Sequence, residues 1–278
     1  MTSFDGERPD HEALLRELVG SEPRRLRSDH GDVIVVEALS KRYPNGTEAV
    51  RGISFGVRSG EVFGILGPNG AGKSTTIGML GTLVLPSGGR ASVAGLDVVA
   101  QRREVRRRIG FAMQEVGVDD LATGRELLVL HGRLHGLSRR EAARRAALLL
   151  ELVGLGEQAD ARMGDYSGGM KRRVDLASAL IHLPQVVFLD EPTEGLDPRA
   201  RAAIWAALAW LREALGMTIV LTTHYMEEAD RLCDRIAIVE RGRIVVSGTP
   251  QELKRAARAV TLEDAYLHST GQALEVAA

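Results

Sequence analysis

The chain has 278 residues but only one cysteine, Cys233, and its aromatic residues make up just 4% of the total. One thiol excludes an intrachain disulfide and a cysteine-rich zinc site. It fits a reducing compartment without requiring one. No run of about 18 apolar residues occurs, so no membrane span is expected. The longest uncharged stretches, such as Ser74–Gly89, are broken by Gly and Pro. Charge of one sign is also missing: 36 basic and 37 acidic residues leave a net charge of -1. That balance removes any protein-wide drive onto DNA or an anionic membrane. The first residues, MTSFDGERPDHEALLRE, have neither the basic start nor the apolar stretch of a secretory signal. There is no repeat of about 20–50 residues and no heptad run. Of the basic residues, 4 are Lys and 32 are Arg, a compositional skew of the kind a GC-rich genome produces.

What is present is a globular mixture, 44% apolar and 26% charged. The length suits one large domain or one domain with an inserted subdomain, able to bury roughly 70–75% of its unfolded surface. Residues 1–31 are polar and read as a mobile tail with a short helix near Glu12–Val19. Val33–Leu39, Val50–Val57 and Glu61–Leu66 read as strands. Gly67–Thr75 is a Gly-rich turn, and a helix should follow to about Gly81 with Lys73 in its first turn. From about 115 to 168 the composition shifts to Ala, Leu and Arg. Ala142, Ala146, Leu149, Leu150 and Val153 keep helical spacing, which predicts an inserted helical subdomain. Ile109–Met113, Gln185–Leu189 and Thr218–Leu221 read as strands, and Ile236–Glu240 with Arg243–Val246 as a hairpin turning at Arg241-Gly242. Strands alternating with helices predict an α/β architecture with a mixed, largely parallel sheet. The expected division is a tail at 1–31, a main domain at 32–250 and a C-terminal helical tail at 251–278.

Three motifs carry chemistry. Gly67-Pro68-Asn69-Gly70-Ala71-Gly72-Lys73-Ser74-Thr75 matches the phosphate-binding loop G-x-x-x-x-G-K-[ST]. Glycines let successive N–H groups point inward at phosphate oxygens, and the helix N-terminus adds partial positive charge. Lys73 would reach the β- and γ-phosphates, and Ser74 would offer its hydroxyl to Mg²⁺. The run Val186-Val187-Phe188-Leu189 then ends in Asp190-Glu191, two carboxylates at the end of a buried strand. Read alone this is a strand-end turn; behind a phosphate loop it places Asp190 on Mg²⁺ and Glu191 on the attacking water. The third motif, Tyr166-Ser167-Gly168-Gly169-Met170-Lys171, opens a helix over Met170–Leu180. It can be a simple N-cap or a second anion-binding helix start.

Together and in this order, over about Val33–Pro250, these motifs resemble the nucleotide-binding subunit of ATP-binding-cassette (ABC) transporters. Ser167-Gly168-Gly169 resembles the family signature, with Tyr166 for the usual Leu and Met170 for the usual Gln. Those departures, with Thr222-Thr223-His224-Tyr225-Met226-Glu227-Glu228-Ala229, Glu194-Gly195-Leu196-Asp197-Pro198 and Thr261-Leu262-Glu263-Asp264-Ala265-Tyr266-Leu267, resemble the daunorubicin-type drug-resistance exporters. Antibiotic, sodium and polysaccharide exporters share much of that pattern. The resemblance implies a P-loop NTPase (RecA-like) core, an N-terminal antiparallel β part and the inserted helical subdomain. It further implies that Tyr43 stacks on adenine, that Gln114 touches Mg²⁺ and the attacking water and hinges the helical subdomain, and that His224 contacts the γ-phosphate. Ser167, Gly168, Gly169 and Asp197 would serve the ATP site of an opposite subunit. Two ATP molecules and Mg²⁺ would then sit between two head-to-tail chains docked on an integral membrane permease, at the cytoplasmic face. No nucleic-acid partner is expected. The competing reading is a soluble ABC ATPase of ribosomes or DNA, but such chains usually carry two cassettes or a long coiled-coil insertion. Two side features carry less. His131 and His135 are four apart without a Glu beside His131, a poor zinc motif. Arg102, Arg103, Arg106, Arg107 and Arg108 read as a solvated helix face or a contact for anionic headgroups.

Overall fold

The computed structural model describes residues 31–113 and 120–271 with the pieces 13–14 and 17–18, apart from some side chains of the helix at 198–215. The chain forms two compact units. One comprises Leu26–Gln114, Pro184–Glu194 and Gly216–Ala278, and it holds both sheets. Its first sheet is antiparallel, in the order β2-β1-β4-β5, from β1 (Asp32–Arg42), β2 (Glu48–Arg58), β4 (Gly88–Val93) and β5 (Leu96–Asp97). Alternating buried residues on β1, Ile34 and Val36, face the core, as period-two strands require.

The second sheet has the order β10-β9-β3-β8-β7-β6. It comprises β3 (Val62–Leu66), β6 (Ile109–Ala112), β7 (Val186–Asp190), β8 (Thr218–Thr223), β9 (Arg235–Glu240) and β10 (Arg243–Gly248). All pairs are parallel except β9 with β10. Every residue of β3, β7 and β8 is buried, which explains why they read as unbroken apolar runs instead of alternating ones. The hairpin turns at Arg241 and Gly242, both with positive φ (47° and 78°), the geometry a two-residue hairpin favours. A single core joins the sheets. Ile34, Val50 and Ile53 cluster with Phe63, Ile77, Met79, Phe188 and Val220, and Phe55 stacks on Phe63 at 5.2 Å. After β8 comes the short helix α7 (Met226–Leu232), and at the C-terminal end lie α8 (Pro250–Ala256) and α9 (Leu262–Ser269), the last two each opened by a capping Thr, Thr249 or Thr261.

The short helix α2 (Arg102–Arg108) carries the arginine cluster on an exposed face, as expected, and two of its guanidinium groups also make contacts. Arg106 donates to Thr82 Oγ1 (2.7 Å) and, like Arg102, to the Thr82 carbonyl. Thr82 sits just past helix α1 (Lys73–Leu80) with φ 62°, a costly setting for a β-branched residue. The two guanidinium groups therefore hold the C-terminal end of α1, where positive charge also suits the helix dipole.

The other unit comprises Met1–Arg25, Glu115–Leu183 and Gly195–Leu215. It is built from α3 (Gly124–Leu134), α4 (Arg139–Leu152), α5 (Gly168–Leu180) and α6 (Pro198–Leu215). It therefore takes in α5 and α6, beyond the 115–168 expected. Thr123 and Glu126 form a capping box at α3, and Ser138 caps α4. Ala142, Ala146, Leu149 and Leu150 are buried, as their spacing predicted. Of the helix expected near 12–19, residues 13, 14, 17 and 18 are helical and the others lie outside the described residues. Leu18 is buried, and Arg144 donates to the carbonyls of Glu17 and Leu18.

On α5, burial pushes Asp175 up to about 6, against the pull of Arg172 at 3.4 Å. A carboxyl raised above its ordinary 3.8 favours the folded state below that pH, and this contribution is lost as pH rises through about 6. At neutral pH Asp175 then costs about 1–3 kcal/mol. Asp175→Asn should raise the thermal midpoint at pH 7.5 by several degrees, with the gain shrinking toward pH 4. An unchanged or lower midpoint at pH 7.5 would contradict this.

Candidate functional site

Strand β3 delivers the chain from the buried sheet into the loop 67–75. The loop needs its glycines for space and conformation. A Cβ on Gly67 would lie 2.2 Å from the Val239 carbonyl oxygen, and one on Gly72 (φ +102°) 2.3 Å from that of Ala49. Gly70 also has positive φ, +80°. The β9–β10 turn braces the loop: Gly242 N–H donates to the Ala71 carbonyl (2.9 Å), and Arg51 N–H donates to the Gly242 carbonyl (2.8 Å). The hairpin is legible in the sequence but this brace is not, because a backbone contact from a distant turn leaves no motif.

Lys73 opens α1 and is 4% exposed. Its Nζ donates to the carbonyls of Gly67 (2.8 Å) and Pro68 (3.2 Å) and lies 3.0 Å from Glu191 Oε1. The ammonium is thus folded back over its own loop and onto the carboxylate at the end of β7. Next to it, Ser74 Oγ donates to Asp190 Oδ1 at 3.0 Å, and Thr222 Oγ1 of β8 donates to the same oxygen at 2.5 Å. Thr222 is a positioning residue that no motif announced. A hydroxyl and a carboxylate side by side are hard oxygen donors, a set that fits Mg²⁺. Gln114 lies outside the described residues.

Glu191 takes φ 47°, an unusual conformation for a non-glycine residue. Its N–H is held by the Thr222 carbonyl (3.2 Å) and hydroxyl (3.0 Å). Strain of this kind, over-determined by neighbours, is common at functional positions. The other carboxylate oxygen, Oε2, lies 3.2 Å from His224 Nδ1 at the end of β8. Burial pushes the Glu191 carboxyl up, but the hydrogen bonds from Glu194 and Lys73 and the charges of Lys73 and His224 outweigh it, leaving it below the usual carboxylate range. Glu191 is therefore an anion at neutral pH. Glu194 completes a group with Glu191 and His224 whose ligand atoms all lie within 4.8 Å of one another. In the sequence Glu194 stands only at the head of the stretch Glu194–Pro198 that carries the resemblance, with no motif that gives it a role.

Beside the loop opens a cavity of about 680 Å³ whose lining includes Thr47, Arg51, Asn69, Lys73, Glu191 and Arg241. Tyr43 stands in the β1–β2 turn near its edge, half-buried, with its hydroxyl 3.3 Å from Thr75 Oγ1 and Lys41 over its ring. The structure thus brings together Tyr43, the loop 67–75, Asp190, Glu191 and His224 within one unit.

In the helical unit, Ser167 is the N-cap of α5, its Oγ accepting from Met170 N–H. Ser167 and Gly168 are exposed, and nothing lies within 4 Å of where a Gly168 Cβ would be. The helix starts two residues earlier than expected because Ser167 supplies the cap. Tyr166 is buried beneath the turn, and its hydroxyl donates to the Gln158 carbonyl. The departure from Leu is therefore a polar anchor behind an open Ser-Gly-Gly turn. Asp197 is exposed at the start of α6. His131 and His135 do not form a metal pair: His131 Nδ1 is bonded to Ser178 Oγ, and His135 stacks on His182 at 3.7 Å.

A phosphate-cradling loop, a cation against an anionic carboxylate and oxygen donors for Mg²⁺, all at parallel strand ends, define a nucleoside-triphosphate hydrolase. Residues 50–194 match the ABC transporter family, and the chain belongs to it as an ATP-hydrolysing, ATP-binding subunit. It is 51% identical over 225 residues to the doxorubicin resistance ATP-binding protein DrrA of Mycobacterium tuberculosis, covering 81% of this chain and 68% of that protein. It is 51% identical to the daunorubicin/doxorubicin resistance ATP-binding protein DrrA of Streptomyces peucetius, covering 80% of this chain and 66% of that one. The Nod factor export ATP-binding protein I of Rhizobium sp. is 50% identical over 73% of this chain and 67% of its own length. Among solved structures, an ATP-binding subunit of an ABC transporter matches with a TM-score of 0.76 at 30% identity, over 86% of this chain and 99% of that one. The dimeric cassette MJ0796 in a post-hydrolysis state, bound to ADP and Pi, matches with 0.72 at 28% identity, over 78% and 98%.

Proposed function

We propose that this chain powers export of a drug-like or antibiotic-like small molecule through a separate membrane permease. The carrying observation is the convergence on Glu191 of Lys73 at 3.0 Å and His224 at 3.2 Å. In this reading Glu191 orients and deprotonates the water that attacks the γ-phosphate. A triphosphate in the loop takes Lys73 from Glu191 and gives it phosphate oxygens instead. His224 moves its donor toward the γ-phosphate, and Tyr43 offers a flat face to adenine, worth roughly 1–3 kcal/mol. Ser74, Asp190 and Gln114 would hold Mg²⁺, which when bound offsets phosphate charge.

The chain carries one phosphate loop and one Ser-Gly-Gly that opens a helix, Ser167-Gly168-Gly169, whereas Ser87-Gly88-Gly89 leads into β4. We place the turn, Ser167, Gly168 and Gly169, with Asp197, against the nucleotide of a second copy. The exposed N-terminus of α5 supports this, since a helix N-terminus favours an anion. Two chains then enclose two ATP molecules, and closure excludes water from both. Hydrolysis reopens the pair and moves the permease, with the helical subdomain carrying that motion through Gln114. Among the described residues no helix is long and apolar enough to cross a membrane. In this reading the permease supplies the cargo path, and the chain works peripherally at the cytoplasmic face. The relatives' names support drug-type export.

The test is capture of tagged Glu191→Gln protein from its own cell membranes with ATP and Mg²⁺, read by mass spectrometry. A stoichiometric multi-spanning protein is the expected result. Recovery of ribosomal or DNA-bound proteins with no membrane partner would instead assign the chain to the soluble ATPases.

A further inference from the structure

We propose that Glu191, Glu194 and His224 form a binding site for a divalent transition metal of the zinc class, separate from the Mg²⁺ oxygens, and that its occupation switches the hydrolytic base off. Three observations carry this. The three side chains bring ligand atoms within 4.8 Å of one another. Glu191 is only 6% exposed, and its Oε2 and His224 Nδ1, both buried, face each other at 3.2 Å without a well-directed hydrogen bond. Two ligands at about 2.0–2.1 Å on one tetrahedral Zn²⁺ stand about 3.3 Å apart, so this separation is already that of a coordination edge.

The charges point the same way. A metal ion can replace the proton that two carboxylates this close otherwise share, here in the hydrogen bond from Glu194 to Glu191. Lys73 occupies Glu191 Oε1 and His224 faces Oε2, with Glu194 in the same group. An imidazole among the donors selects against Mg²⁺, which prefers an all-oxygen octahedron, and for Zn²⁺, Co²⁺ or Ni²⁺. His224 is 30% exposed and gives the ion a route in. A metal held there binds the Glu191 oxygen and the His224 nitrogen that hydrolysis needs, yet leaves the loop 67–75 free to hold nucleotide. The switching half rests on the ATPase reading above; the binding half does not.

The test uses the full chain without nucleotide, titrated with Zn²⁺ by calorimetry and with Co²⁺ by visible absorption. One ion per chain at micromolar affinity is expected, with intense tetrahedral Co²⁺ bands. Glu194→Ala and His224→Ala should each weaken binding at least tenfold, and His135→Ala, at the other histidine cluster, should not. Glu194→Gln, close in size and hydrogen bonding, serves if the alanine variant folds poorly, as judged by its melting curve. Absence of stoichiometric binding, or equal affinity in the Glu194 and His224 variants, overturns the site. In ATPase assays the zinc concentration giving half inhibition should rise at least tenfold for Glu194→Ala relative to wild type. Equal inhibition of both would mean that zinc acts through ATP itself, and would overturn the switch. A chain that hydrolyses no ATP sinks the ATPase reading but leaves the titrations fully readable.

Discussion

Glu191→Gln should lower ATP turnover by about 10²–10⁴-fold while leaving nucleotide affinity within a few-fold of wild type. The magnitude is that of losing a positioned general base. The side chain keeps its volume and its place at φ 47°, and the amide oxygen still accepts from Lys73. What disappears is the anion that lies between Lys73 and His224. Affinity should hold because the phosphate cradle is the backbone of 67–75, braced by Gly242 and independent of the carboxylate. Single-turnover hydrolysis of radiolabelled ATP, beside equilibrium binding of a fluorescent analogue, separates the two effects. Undiminished turnover would remove Glu191 from the chemistry.

Lys73→Ala should fail in both assays. Losing a charged donor to the phosphates costs about 1.5–3 kcal/mol, or roughly 10–100-fold in affinity, and turnover should fall to background because charge on the γ-phosphate goes unmatched. The structure adds a second consequence. Lys73 is buried and bonds the carbonyls of Gly67 and Pro68 as well as Glu191. Its removal leaves a buried carboxylate without its cation, a change typically worth about 3–5 kcal/mol. The variant should therefore melt earlier than wild type, and Lys73→Ala combined with Glu191→Gln should recover part of that loss. A double variant no more stable than the single one would mean the ion pair carries no weight.

The sheet strands were readable because their physics is local. Val186–Asp190 and Thr218–Thr223 are buried on both faces and so read as unbroken apolar runs. The phosphate loop was readable because its glycines satisfy contacts that no side chain could. By contrast, β4 (GGRASV) and the two-residue β5 were missed, since polar, half-exposed strands lack an apolar pattern. The arginine cluster is the solvated face its charge predicts, but the bonds of Arg102 and Arg106 to Thr82, 20 and 24 positions away along the chain, leave no mark in the sequence. Thr222 and Glu194 escaped for the same reason. Threonine in a strand and glutamate in a turn are ordinary residues until the fold sets one on Asp190 and the other beside Glu191. The site's titratable core was legible; the residues that hold and tune it were not.

In the proposed assembly each chain supplies half of two ATP sites. The most direct measurement is sedimentation velocity of Glu191→Gln protein with and without ATP and Mg²⁺, alongside the same protein carrying Ser167→Arg. Monomer is expected without nucleotide and dimer with ATP. With Ser167→Arg, the long guanidinium side chain blocks the exposed turn, so that protein should stay monomeric in both conditions while its loop still binds nucleotide. An ATP-dependent dimer that persists with Ser167→Arg, or no dimer at saturating ATP, would contradict that assembly.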